Sequence, residues 1–419
     1  MNFRTSPLLL GLLLLGAQTQ AQDSSFHLKD GDRVVFYGDS ITDQRLYTTF
    51  TETFVVTRFP KLNVQFVHSG WGGDRVGGGG GGPIAQRLER DVFAYKPTVM
   101  TIMLGMNDAS YRPFDQAIFD TYSKGYESIV NSVKQTLPGI RLTLIQPSPF
   151  DDVAQPPRFE GGYNQVLVRY GEFVKELAAK QGAGVADLNT GVVAALEKAK
   201  AKDPEQAKKI IPDRVHPGPS GHLLMAAELL KAWKAPSTVT DVAIDLPSTV
   251  KATATRVTDL QFEGKITWTQ ADDALPLPID LNDPVMALAV NASDLIQTLN
   301  QQRLKVSNIT ASVYVLSIDG SKVGQFTKEQ LAEGVNLAVL PTPMIKQAQE
   351  VHTLTLQHNN IHFARWRQIQ VPLASYKAPR TQAAVKELMN ALDQEEAEVV
   401  AKQRAASQPK VRHYELKPL

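Results

Sequence analysis

Cysteine is absent from all 419 residues. That excludes a thiol nucleophile, disulfides, acylation at a lipoprotein cysteine and zinc held by thiolates. An excess of one charge is absent too, with 44 Lys and Arg against 43 Asp and Glu. No global field therefore draws in nucleic acid or an anionic bilayer. Long hydrophobic runs are also missing. The longest, Leu8 to Leu15 broken only by Gly11, is too short for the roughly 30 Å of a hydrocarbon core. A mean hydropathy of −0.19 excludes a polytopic membrane protein. Placed after Arg4 and before the small residues Thr19 and Ala21, the apolar run reads as a signal peptide over residues 1–21. Export without disulfides points to a bacterial periplasm or the medium, with no stable membrane insertion once the signal is cleaved.

What is present is a chain longer than one ordinary domain, so the length predicts a large domain with an appendage, or two domains. From 26 to 236, short apolar runs alternate with helical periods. Val34 to Tyr37, Val64 to Val67, Thr98 to Leu104, Leu142 to Ile145 and Ala183 to Leu188 read as buried strands. Phe119 to Leu137, Tyr163 to Ala179, Val192 to Lys202 and His222 to Trp233 read as helices. Continuous apolar strands separated by helices predict a doubly wound α/β domain around a parallel sheet. Ligands of such sheets bind beyond the carboxyl ends of the strands. Residues 237–375 switch to period-two patterns and a hairpin dipeptide, Asp319-Gly320, which predict a β-rich accessory region. Residues 376–419 read as one or two exposed helices and a charged tail.

Four strand-end or loop segments carry chemistry. Gly38-Asp39-Ser40 ends the first strand, placing a hydroxyl on a strand-to-helix turn where a nucleophile belongs. Alone it is better explained as a helix cap. Asp213-Arg214-Val215-His216-Pro217 precedes the last helix of the domain. An imidazole can take the serine proton, and a carboxylate three residues earlier can set its tautomer. Gly70-Trp71-Gly72-Gly73 after the second strand offers backbone donors, and Gly105-Met106-Asn107-Asp108 after the third offers a side-chain amide. Each alone is more simply a turn; their order together is hard to obtain by chance.

The ordered set Gly38-Asp39-Ser40, Gly73, Gly105-x-Asn107-Asp108 and Asp213-x-x-His216-Pro217 resembles the four blocks of the SGNH/GDSL hydrolase superfamily across roughly the first half of the mature chain. The resemblance implies a flavodoxin-like sheet and no cofactor. It also implies Ser40 as nucleophile, His216 as base, Asp213 as its orienter, and an oxyanion hole from the Ser40 and Gly73 amides and the Asn107 side chain. Two positions depart from the pattern. His68 stands where relatives commonly carry Asn, and Ile41 replaces the eponymous leucine. The Gly-x-Ser-x-Gly elbow of the other α/β hydrolases is missing.

Asp39, Trp71, Arg75 and Tyr111 are candidate substrate-binding residues. Trp71, Tyr111, Phe114 and Phe150 read equally as cleft lining or core rim. The run Gly77 to Gly82 lacks the Gly-Lys-Ser/Thr ending of a phosphate loop and reads as a mobile loop, with Asp74 and Arg75 paired beside it. His352, His358 and His362 have no carboxylate cluster in sequence, so no metal site is expected. The expected function is hydrolysis of a small acyl ester, an O-acetyl carbohydrate before all. A lipid or aryl esterase is the alternative, and a non-catalytic carbohydrate-binding or scaffold protein the alternative of another class.

Overall fold

The apolar run at Arg33–Gly38 forms β1, and it pairs in parallel on both sides. Its neighbours are β2 (Gln65–Gly70) and β3 (Val99–Met103); β4 (Arg141–Ile145) and β5 (Gly184–Ala186) extend the sheet beyond β3. The order is β2-β1-β3-β4-β5. This is the flavodoxin-like order, with its switch point between β1 and β3. The computed structural model describes residues 26–247 and 249–419. The expected signal peptide lies outside the described residues.

Helices α1 (Ser40–Asp43), α2 (Leu46–Arg58), α3 (Ile84–Asp91), α4 (Gln116–Thr136), α5 (Gly162–Gln181), α6 (Thr190–Lys202) and α7 (Pro219–Ala232) accompany the sheet. The helix α2 was not legible in the sequence. Its Leu-Tyr-Thr-Thr-Phe-Thr-Glu-Thr-Phe-Val-Val-Thr-Arg is rich in β-branched residues, which have weak helix propensity, and it shows no polar face. Nearly every residue of α2 is buried, because later segments cover its outer side. Thr51 and Thr57 satisfy their buried hydroxyls on carbonyls one turn back.

The core beneath the parallel sheet continues past Pro236. Leu277, Met286, Val290, Leu295 and Leu299 pack into it from α8 (Pro284–Asn291), α9 (Leu295–Leu299) and the loop before them. A second core lies between two further sheets. One has the order β13-β10-β6-β7, built from Val335–Asn336, Gln301–Ser307, Thr238–Asp245 and Thr249–Thr253. The other has the order β8-β9-β14-β11-β12, built from Thr255–Gln261, Ile266–Asp272, Arg412–Pro418, Val313–Ile318 and Ser321–Thr327. Asp319-Gly320 makes the β11–β12 turn.

Two expectations are corrected here. The charged tail is strand β14, in the centre of its sheet. Tyr414 and Leu416 point into the core and alternate with charged residues that conceal the pattern, and the Tyr414 ring stacks on Trp268 at 4.9 Å. The region expected to be β-rich also holds a 21-residue helix, α10 (Pro343–Phe363), continued by a π-helical turn over Ala364–Gln370. Its buried positions include Gln347, Thr355, His358, Asn359 and His362, so it lacks the apolar stripe that marks a helix in sequence. The long helix α11 (Pro379–Ala406) packs along α10, and near its end Gln403 and Arg404 donate to Glu52 and to the Leu62 and Val64 carbonyls; most of its other residues are exposed.

Candidate active site

Strand β1 delivers Asp39 and Ser40 to its carboxyl end. Asp39 caps α1 by accepting the Ile41 amide at 3.0 Å. It is only 1% exposed, so this candidate for substrate contact is corrected to a structural cap. Burial first of all, then the neighbouring Asp108 and Asp74 carboxylates, pushes its pKa up to about 7.

Opposite Ser40 stands the loop before α7. Arg214 adopts φ 75°, a left-handed conformation uncommon outside glycine. It is held there by its side chain on the Pro156 carbonyl at 2.8 Å and by the Asp151 amide on its own carbonyl at 2.9 Å. The bend folds Asp213 back over the next turn. Its Oδ1 accepts the Val215 and His216 amides at 2.9 and 2.7 Å, and Oδ2 lies 2.7 Å from His216 Nδ1. His216 Nε2 in turn lies 2.8 Å from Ser40 Oγ. Residues 176 positions apart thus form one chain of hydrogen bonds, carboxylate to imidazole to hydroxyl. Partial burial works to raise the Asp213 carboxyl, but its bonds from the His216 amide and ring hold it below the ordinary value.

Gly70 and Gly73 bring the second loop to the same place. A Cβ on Gly70 would sit 2.2 Å from the Asp43 amide nitrogen, so only glycine lets this loop lie against the end of α1. Gly73 has φ 78°, which glycine adopts without strain. From the third strand end, Asn107 donates one amide hydrogen to the Asp74 carbonyl at 3.1 Å and accepts the Tyr111 hydroxyl at 3.0 Å. Ser40, Gly73, Asn107, Asp213 and His216 all lie on the loops at this one edge of the parallel sheet.

The remaining candidates separate. Tyr111, 37% exposed and stacked on Tyr163 at 5.0 Å, stands open beside Asn107. Phe150 is buried beneath it, and Phe114 packs on Phe119. Trp71 is packed by three guanidinium groups, with that of Arg367 only 3.5 Å from the ring centre. Half-buried, it is a seat for arginines, which favours the core-rim side of its two readings. Arg75 is exposed, and the expected pair with Asp74 is absent among the described contacts: Asp74 instead binds buried Arg87 at 2.7 Å. The glycine run is a small hairpin, Gly78–Gly79 with Gly82–Pro83, lying so close to Trp71 and Arg87 that a Cβ on Gly81 would clash with both.

Sequence reasoning missed His222, whose Nδ1 accepts the Tyr47 amide at 3.2 Å while Nε2 faces Gln44 Oε1 at 2.8 Å. Burial lowers its pKa to about 3, so it is neutral, with its proton on Nε2. One polar residue in the otherwise apolar His222-Leu-Leu-Met-Ala-Ala was the available signal. His68, where the family pattern was broken, turns away from the glycine loop. It faces Thr48 at 2.6 Å and Glu52 at 3.4 Å on α2. The three C-terminal histidines stand on helix α10, not on a strand, and no group of three or more potential ligands placed to hold a metal ion occurs among the described residues. No helix there is long and apolar enough to cross a membrane.

Residues 36–224 match the GDSL-like lipase/acylhydrolase family. The chain is 26% identical over 228 residues to an acetylxylan esterase of Geobacillus stearothermophilus, covering 48% of this chain and 93% of that protein. A solved gut microbial diltiazem-metabolizing enzyme is similar over 94% of this chain and 100% of its own, with a TM-score of 0.81 and 25% identity. The first two likenesses stop at the hydrolase half; the third includes the C-terminal sheets and helices.

Proposed function

The chain belongs to the SGNH/GDSL hydrolase superfamily, and from that premise we propose that it is a serine esterase removing acetyl groups from carbohydrates, with Ser40 as nucleophile. The observation that carries the reading is the hydrogen-bonded line Asp213, His216, Ser40 at the carboxyl edge of the sheet. His216 Nε2 takes the hydroxyl proton as Ser40 Oγ attacks the ester carbon. Asp213 holds the Nδ1 proton and stabilises the imidazolium that results. Negative charge on the carbonyl oxygen rests on the Ser40 and Gly73 amides and on the second N–H of Asn107, whose first N–H is fixed by Asp74. Collapse expels the alcohol, which takes its proton from His216. Water, deprotonated by the same imidazole, then cleaves the acyl-enzyme to release the acid and free Ser40.

The acetylxylan esterase likeness supports a small acyl group on a sugar. A second reading is a small aryl ester; the full-length likeness is to an enzyme that metabolizes diltiazem, a compound that is not a polysaccharide. Export through residues 1–21 belongs to the first reading. The deciding assay measures acetate released from acetylated xylan and from p-nitrophenyl acetate, with Ser40→Ala as control. Turnover of both substrates, abolished by Ser40→Ala, is expected. Turnover of the aryl ester alone favours the second reading, and equal rates for variant and parent overturn the assignment of Ser40.

A further inference from the structure

The π-helical turn after α10 reaches back across the molecule to the glycine loop. In it, Trp366 is buried and donates its indole N–H to Asp91 Oδ1 at 2.6 Å. The next residue, Arg367, places Nη1 3.2 Å from Asp43 Oδ1 and 3.4 Å from the Gly70 carbonyl oxygen, with its guanidinium on the Trp71 ring. Asp43 is the last residue of the helix that Ser40 begins, and its other oxygen accepts the Gly72 amide at 3.1 Å. Arg367 therefore holds Gly70 and Trp71 directly and Gly72 through Asp43. Gly73 follows immediately. Inserted π turns are frequent at functional sites, and here the turn brings two consecutive side chains onto the hydrolase half.

A second path starts from Trp366. Its partner Asp91 pairs with Arg87, a fully buried guanidinium that also binds Asp74 Oδ2 at 2.7 Å and the Ser69 carbonyl at 2.7 Å. The Asp74 carbonyl then takes the Asn107 amide. Both proposed donors beyond Ser40 are thus held by contacts that end in the same C-terminal turn.

We propose that Arg367 is a positioning residue for ester hydrolysis, which fixes the glycine loop against the end of α1 so that the Gly73 amide meets the developing oxyanion. The inference rests on the reading of Ser40, Gly73 and Asn107 given above. It assigns the C-terminal region a part in the chemistry without contact to substrate. A donor misplaced by about 1 Å costs on the order of 10²-fold in rate, so losing one of the loop's several ties predicts a smaller but measurable effect.

Steady-state kinetics on p-nitrophenyl acetate test it with Arg367→Ala, Arg367→Lys, Asp43→Asn, the Arg367→Ala/Asp43→Asn pair and Ser40→Ala. Arg367→Ala should lower kcat about 10- to 100-fold, leave KM within about twofold and keep the parent's melting transition. Arg367→Lys, which keeps charge near Asp43 but loses the planar stack, should recover part of kcat. The double variant should be no slower than the slower single one, because both act through one link. A parental kcat in a folded Arg367→Ala protein overturns the proposal, as does a raised KM with kcat intact. If Arg367→Ala fails to fold, the decision passes to Arg367→Lys, and a parental kcat there overturns it equally. Activity retained in Ser40→Ala would instead overturn the reading of the site on which the proposal depends.

Discussion

Two of the carboxylate–imidazole pairs among the described residues have surroundings that give them opposite properties. Asp213 and His216 meet at the open edge of the parallel sheet, with Asp213 56% and His216 36% exposed. Glu52 and His358 meet at 2.6 Å between α2 and α10, almost wholly buried. Burial alone would raise Glu52 and lower His358. The opposite charges override it, so Glu52 is held well below the ordinary range while His358, which also faces Glu396, is raised to about 9. Glu396 is lowered to about 2. His68, on the other side of Glu52, is lowered to about 4 by burial and stays neutral. The inner pair holds its proton through the physiological range and acts as a fixed link; the outer one has a free hydroxyl to work on. On the proposed reading of Ser40, the same chemistry divides into catalysis and attachment according to solvent access and to what occupies the imidazole's far nitrogen.

The contrast breaks most sharply at Ser40 and His216. Alanine at either should lower kcat/KM by ~10⁴-fold or more, while leaving the melting temperature within a few degrees of the parent. Glu52→Ala should do the reverse. It strands a buried imidazolium along with Gln403, which donates to the same carboxylate. Denaturant titration should show a loss of about 3–5 kcal/mol, and activity per folded molecule should persist. A Glu52 variant that is stable but inactive would erase the distinction between the two pairs.

Asp213→Asn should reduce kcat by roughly 10²-fold, less than at a fully buried triad acid because water can still solvate the imidazolium. The pH dependence of stability sharpens the other side. His358 has a folded pKa raised above its unfolded value, so its contribution is complete below about 6.5 and disappears as pH rises through about 9. Unfolding free energy should fall by about 2 kcal/mol between pH 7.5 and 9.5, and His358→Gln should flatten that slope. In acid the sign reverses. His68, His352 and His222 are buried with pKa values lowered to about 4, 4 and 3, so stability is lost as pH falls below about 6.5. The smallest effect belongs to Tyr111→Phe, which removes one neutral hydrogen bond to Asn107 and should slow kcat about threefold to tenfold.

The line between what the sequence discloses and what it conceals follows the same contrast. Ser40 could be singled out because it opens a helix directly after a strand, and Asp213 and His216 because they sit three residues apart on the loop before α7, and such local grammar survives without knowledge of the partners. The parallel sheet was readable for a similar reason: β1 and β3 are mostly apolar runs, interrupted only by Thr101 within β3 and begun by Arg33 in β1. Helix α2 was hidden because its threonines pack against other polar residues, and β14 because charges flank Tyr414 and Leu416. Glu52, His358 and Gln403 lie 306 and 351 positions apart along the chain. Nothing local to them signals a meeting, just as nothing around Arg367 signals Asp43. Asp39 was misassigned because an acid at a strand end looks accessible until its neighbours arrive.

The claim on which the rest depends is that Ser40 is activated by the His216–Asp213 pair. Incubation with an aryl fluorophosphonate, followed by intact-mass and peptide mass spectrometry, addresses it directly. One adduct per chain is expected, located on Ser40, formed at least about 10²-fold more slowly in His216→Ala and not at all in Ser40→Ala. A single adduct on another serine, or equal labelling of parent and His216→Ala, would contradict it.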